Sequence, residues 1–178
     1  MLARAVRSVL SQTHPVSDIA ISVDHYREGA AVNRQRALDT VRTPWVAFLD
    51  DDDEWKPEHV AKLLRCAEEE NADFVFSWYE VRGGEDPRAD EFGLPWDPKN
   101  PRQTTITTLI RTELAQKVGF VVDGDTQATL RSPDRMYAGE DWKMTSGCND
   151  LGAKIVHLPE KTWIWHHTGT NTSGLPNW

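Results

Sequence analysis

The chain has 178 residues, with 28 acidic side chains against 20 Lys and Arg and a formal net charge of -8. That length suits one domain that can bury a real core, and the acidic balance argues against nucleic acid or an anionic membrane as partner. No apolar run is long enough to span a bilayer and no signal peptide is visible, so a cytoplasmic protein is expected.

Leu2 to Gln12 has helical periodicity, with Leu2, Val6, Val9 and Leu10 on one face. Thr13-His14-Pro15 ends it. Ile19 to Val23 reads as a strand, with Asp24 at its carboxyl end. Gly29 opens a helix to about Val41 that carries Arg34 and Arg36. Trp45 to Leu49 is five apolar residues in a row, the pattern of a strand covered on both faces. Pro57 to Asn71 is the next helix, with Val60, Leu63, Leu64 and Ala67 on one side and Pro57 in its first turn. Asp73 to Val81 reads as a long strand. Gly83 to Gln103 is a loop rich in Gly, Pro and charge. Thr104 to Arg111 reads as a strand, Thr112 to Val118 as a short helix closed by Gly119, and Asp123 to Arg135 as a second polar loop. A helix opens at Asp141 and runs to about Leu151, with Gly152 after it. Ala153 to Leu158 reads as a strand, Pro159-Glu160-Lys161 as a turn, and Trp163 onward as a strand entering a polar loop. Cys66 and Cys148 lie far apart in helix-like segments and read as reduced thiols.

Between the apolar strand and the Pro57 helix stand Asp50, Asp51, Asp52 and Asp53. Such a run at the carboxyl edge of a buried strand is where an open α/β sheet binds ligands. Adjacent carboxylates repel, and a hard divalent cation relieves that repulsion, which points to Mg²⁺ or Mn²⁺. Such an ion holds one or two carboxylates and takes its other ligands from phosphates. The bland alternative is a solvated acidic turn. An EF-hand is not indicated, because the glycine and the spaced acids are missing.

The run Phe48-Leu49-Asp50-Asp51-Asp52-Asp53-Glu54-Trp55 resembles the DxD segment of family 2 glycosyltransferases, which have the GT-A fold. Four more segments resemble that family in the same order: Ser8 to Thr13, Ile19 to Asp24, Gly139-Glu140-Asp141-Trp142, and Trp163 to Gly174. The resemblance implies an α/β protein of GT-A type, Rossmann-like, with a mixed, mostly parallel sheet flanked by helices. It implies one domain over residues 1–178, with 1–81 as the nucleotide-sugar-binding half and 82–178 as the acceptor and catalytic half. Family members carry a strand ahead of the first helix, whereas this sequence opens on the helix. His25, Tyr26 and Arg27 stand where the family has a second Asp, then Gly and Ser.

The resemblance also implies roles. Asp24 matches the aspartate that contacts the donor base, with a turn aspartate as the competing reading. Arg34 matches an arginine near the donor phosphates, against a surface ion pair. Asp50 and Asp51 belong to the donor-binding run, and Asp52 with Asp50 would hold the Mn²⁺ or Mg²⁺. His166 or His167 would approach the metal or phosphate, and strand alternation admits only one of them. Asp141 matches the general base, with Glu140 beside it, against a plain helix-start acid. The implied reaction is inverting transfer from a nucleotide-diphosphate sugar, a UDP-sugar above all, to an acceptor hydroxyl that the sequence does not identify. Both acid groups would then converge on one cleft. A catalytically inactive nucleotide-sugar-binding module and a nucleotidyltransferase-like enzyme are the alternatives.

Overall fold

A computed structural model describes residues 1–99, 107–120 and 139–167. The loop expected at 123–135, the first residues of the strand expected from Thr104, and the closing segment beyond residue 167 lie outside them. Among the described residues the helices are α1 (Leu2–Leu10), α2 (Ala30–Leu38), α3 (His59–Glu69), α4 (Thr112–Val118) and α5 (Glu140–Asp150). The strands are β1 (Trp45–Ala47), β2 (Glu54–Trp55), β3 (Phe74–Arg82), β4 (Thr108–Arg111) and β5 (Ile155–His166). A short 3₁₀ turn spans Ala89–Glu91 in the loop after β3. The strands form one sheet in the order β1-β4-β3-β5-β2. It is mixed: β3 pairs with β5 in parallel, and β2 pairs with β5 antiparallel.

The chain divides into two compact units with interleaved segments. One comprises Met1–Val16, Ala47–Leu109 and Lys154–Trp178, the other Ser17–Val46 and Ile110–Ala153. The first unit is built on β3, whose Phe74, Val75, Phe76, Trp78 and Tyr79 are all buried. Trp55, Val60, Trp78, Tyr79 and Trp163 make one apolar cluster there. Burying that much aromatic surface is the main stabilising term of the unit.

α1 follows its expected amphipathic reading only in part: Val6 and Val9 are half-buried, and Val9 packs against that cluster. Leu2 and Leu10 are 42% and 69% exposed, and the buried positions are Ala5 and Ser8, followed by Gln12 just past the helix. Polar groups share the work on that face. The Ser8 hydroxyl accepts the Trp55 amide at 3.1 Å, and Gln12 Nε2 donates to the Lys56 carbonyl at 2.8 Å. Gln12 Oε1 accepts the Val60 amide at 2.9 Å. α3 has no side-chain cap of its own, so Gln12 satisfies one of the amides that every helix start leaves open.

β5 joins what the sequence divides into a strand, a turn and a second strand. Ser77 faces Leu158, but Trp78 faces Lys161 and Tyr79 faces Trp163. Pro159 has no N–H to give the ladder, and the extra residues are absorbed as a bulge rather than a chain reversal.

The second unit packs α4 against α5. A Cβ on Gly147 would meet Val118 Cγ1 at 2.5 Å, so only glycine allows that approach. Gln116 Nε2 donates to the Leu38 and Val41 carbonyls at 3.0 and 3.1 Å, closing the end of α2. Gln35 Oε1 accepts the Phe120 amide at 2.6 Å. Ile19 to Val23, expected as a strand, is not one, and Ile21 and Val23 are 53% and 51% exposed. Apolar alternation supplies half of a strand; the other half is a neighbouring ladder, and none pairs with it among the described residues.

Candidate functional site

In the first unit the four aspartates follow the apolar run that starts with β1. The Asp53 amide donates to the Asp50 carbonyl at 3.2 Å, which folds Asp50 to Asp53 into a tight turn. Asp51 is exposed, Asp50 and Asp52 are half-buried, and Asp53 is buried. Burial first, then the charges of Asp50 and Asp51, raise the Asp52 carboxyl above its ordinary range. Burial pushes Asp53 up to about 8, against the opposing pull of the His166 amide on its carboxylate. That amide lies 3.2 Å from Asp53 Oδ1, so Asp53 ties the end of β5 to the turn.

Around the turn stand cations and a histidine. Arg4 of α1 donates to the Asp52 carbonyl. Its Nε lies 3.8 Å from Glu54 Oε2, and Arg82 Nη1 reaches the same oxygen at 3.8 Å. His166 Nε2 is 3.2 Å from Glu54 Oε2. The His167 amide donates to the Arg82 carbonyl at 2.8 Å, and its ring meets Trp165 edge-on at 5.5 Å. Both histidines therefore stand at the end of β5, the first beside Glu54 and the second beside Arg82 and Trp165.

Among the described residues no group of three or more His, Cys, Asp and Glu side chains is gathered to hold a metal alone. A Mg²⁺- or Mn²⁺-type ion does not need one, since phosphate oxygens and waters complete its shell. Asp52 with Asp50 fits that kind of site. Both offer hard oxygen ligands, and the burial and crowding that raise Asp52 are what an arriving cation offsets.

In the core of the same unit lies a polar chain that the sequence reading missed. His59 is fully buried, and its Nδ1 lies 2.7 Å from Thr162 Oγ1. Thr162 Oγ1 is 2.6 Å from Ser77 Oγ. The His59 ring stacks on Trp55 at 4.7 Å, and burial pushes its pKa down to about 3, so it is neutral. The pairs are 103 and 85 residues apart in sequence, and no local pattern announces them.

In the second unit Glu140 and Asp141 form the first turn of α5, after Gly139. A helix start favours acids through its open amides and dipole. Arg34 of α2 meets both: its Nη1 donates to Glu140 Oε1 at 2.6 Å and to Asp141 Oδ1 at 2.8 Å. Asp24 precedes α2. Its two carboxylate oxygens accept the Glu28 and Gly29 amides at 2.8 and 3.0 Å. Those bonds lower its pKa and hold the turn that sets Gly29, at φ 93°, ahead of α2.

Residues 17–126 match the family model described as glycosyl transferase family 2. The chain is 35% identical over 130 residues to a Bacillus subtilis (strain 168) protein described as a glycosyltransferase of teichuronic acid biosynthesis, TuaG. That match covers 72% of this chain and 49% of the relative, so the chain spans about half the length of the relative. Two S. aureus TarS structures, residues 1–349, share its fold. The complex with UDP-GlcNAc superposes with a TM-score of 0.70 at 18% identity, over 96% of this chain and 56% of that one. The complex with UDP gives 0.68 at 16%, over 94% and 57%. The mixed sheet flanked by helices is the GT-A fold of those structures. By the family match over most of its length and by its identity to a glycosyltransferase, this chain belongs to glycosyl transferase family 2.

Proposed function

We propose that the chain transfers a sugar from a nucleotide-diphosphate donor, a UDP-sugar, to an acceptor hydroxyl with inversion. The observation that carries this reading is the Asp50–Asp53 turn, where burial and mutual repulsion disfavour ionised Asp52 and so favour a cation. The family match and the UDP and UDP-GlcNAc complexes of the TarS structures support the donor class. Asp52, with Asp50 in support, would hold Mn²⁺ or Mg²⁺, which when bound supplies charge neutralisation for the departing diphosphate. Asp51, the exposed acid of the turn, belongs to the donor-binding surface. Asp24 contacts the donor base in the same reading, since a carboxylate accepts an imide N–H.

Asp141 takes the proton. The acceptor oxygen attacks the anomeric carbon, the bond from that carbon to the diphosphate oxygen breaks, and the hydroxyl proton passes to the Asp141 carboxylate. A single displacement of this kind inverts the anomeric centre. Glu140 beside it binds the acceptor.

The test is a panel of nucleotide sugars incubated with the protein in Mn²⁺, Mg²⁺ or EDTA, with release of the nucleoside diphosphate measured. Metal-dependent UDP release from one UDP-sugar is the expected result. Metal-dependent binding of a UDP-sugar with no release would leave a binding module, and pyrophosphate production from a nucleoside triphosphate would move the chain to nucleotidyl transfer.

A further inference from the structure

Arg34 is the cation of the acid pair at the start of α5. One nitrogen, Nη1, sits 2.6 Å from Glu140 and 2.8 Å from Asp141. The Arg34, Glu140 and Asp141 side chains keep only 15%, 21% and 29% of their exposure. Solvent screens such a partly buried pair less than it screens a surface pair. All three residues belong to the same compact unit.

The helix that carries Arg34 is held firmly. Leu38 is fully buried, Gln116 donates to its carbonyl, and Gln35 bonds to the Phe120 amide. Arg36, two residues on, is engaged with Glu28 at 2.8 Å. The other charged groups on the helices of this unit are Glu113 and Lys117 on α4, and Lys143 and Asp150 on α5.

Adjacent acids repel each other, and a shared donor offsets that repulsion while fixing both side chains. We infer that Arg34 is a positioning residue that acts through Asp141: it holds that carboxylate ionised and aimed for proton transfer, rather than gripping the donor phosphates. Engaging a phosphate through that same nitrogen would cost both charge-assisted bonds. The inference rests on the reading of Asp141 as the base.

The test uses Arg34→Gln and Arg34→Lys, with UDP-GlcNAc and Mn²⁺ as the probe and UDP release as the readout. Arg34→Gln should lower kcat by about tenfold and leave KM for UDP-GlcNAc within about twofold. It should move the acid limb of the kcat profile to higher pH by about one unit, because the base loses its cationic neighbour. Arg34→Lys keeps the charge and should return the limb to its parent position. Carbon-13 titration of aspartate-labelled protein reads the same displacement without turnover, and calorimetry with UDP and Mn²⁺ should give parent affinity for both variants. An unmoved limb with KM raised about tenfold, or a matching loss of UDP affinity, would hand Arg34 to the donor phosphates. Unchanged profiles in both variants would leave it a structural ion pair. Asp141→Asn run alongside separates the two ideas. If it keeps the parent rate, the base assignment itself fails. If it collapses while Arg34→Gln leaves the limb in place, only the role of Arg34 fails.

Discussion

The molecule carries two groups of adjacent acids, and they are treated in opposite ways. At Asp50–Asp53 burial and mutual repulsion prevail, and both Asp52 and Asp53 are raised despite Arg4 nearby. At Glu140–Asp141 a single guanidinium bonds to both carboxylates. Adjacent acids are thus given opposite electrostatic settings. A group that is costly to ionise gains from a cation that arrives with the substrate. Two acids that share one bonded guanidinium are held oriented, which is what the proposed general base requires.

The sharpest way to break this contrast is Asp141→Asn. Asparagine keeps the size and much of the capping ability but takes no proton. Transfer should fall by at least ~10²-fold with donor affinity near the parent value, read by single-turnover rates and calorimetry. Glu140→Gln is the control, and a collapse there with Asp141→Asn intact would move the base by one residue. Asp52→Asn probes the other group. Losing one charged contact costs roughly 1.5–3 kcal/mol, so metal-dependent UDP binding should weaken by about tenfold or more while the fold stays intact. Equal metal-dependent binding in variant and parent would remove Asp52 from the site.

Asp53 sharpens the contrast through stability. Its folded pKa, about 8, lies above the ordinary 3.8. Its contribution is therefore fully present below pH 3.8 and is lost as pH rises through about 8. Asp53→Asn keeps an oxygen for the His166 amide and removes the titration. It should flatten the fall in stability between those limits, with a gain on the order of 1–3 kcal/mol at pH 8 in urea melts with EDTA. The smallest effect is expected from Gln12→Ala. It opens the Val60 amide and the Lys56 carbonyl, at a cost of about 1 kcal/mol in the same melts. A neutral result would mean that water replaces the glutamine.

What could be read from the sequence follows the range of the interactions. The apolar run of β3 and the start and end of α4 are local patterns, and both form where the composition puts them. The acidic turn was visible for the same reason. Asp53 as the buried member was not, because its partner amide lies 113 residues away. Gln12, His59 and the joint hold of Arg34 on Glu140 and Asp141 depend on pairs separated by 48, 103 and about 107 residues. Ile19–Val23 shows the converse error. Its alternation is real, but a strand is a property of two chains of backbone, and one segment cannot display its partner.

The bulge in β5 acts as a length adjuster. Phe76 faces His157, while Tyr79 faces Trp163. The offset between the two strands is therefore 81 residues on one side and 84 on the other. At ~3.3 Å per residue, about 10 Å of chain is taken up there. Strand faces alternate with period two. Removing one residue from 159–161 would turn Thr162 away from His59 and Ser77 and reverse the faces of Trp163 and Ile164. Removing two would keep the faces but draw His166 back from Asp53. The segment should thus tolerate substitution far better than any change of length, although it looks like an ordinary surface turn. Drift in this family at such a position is expected to run through residue identity, with insertions and deletions selected against.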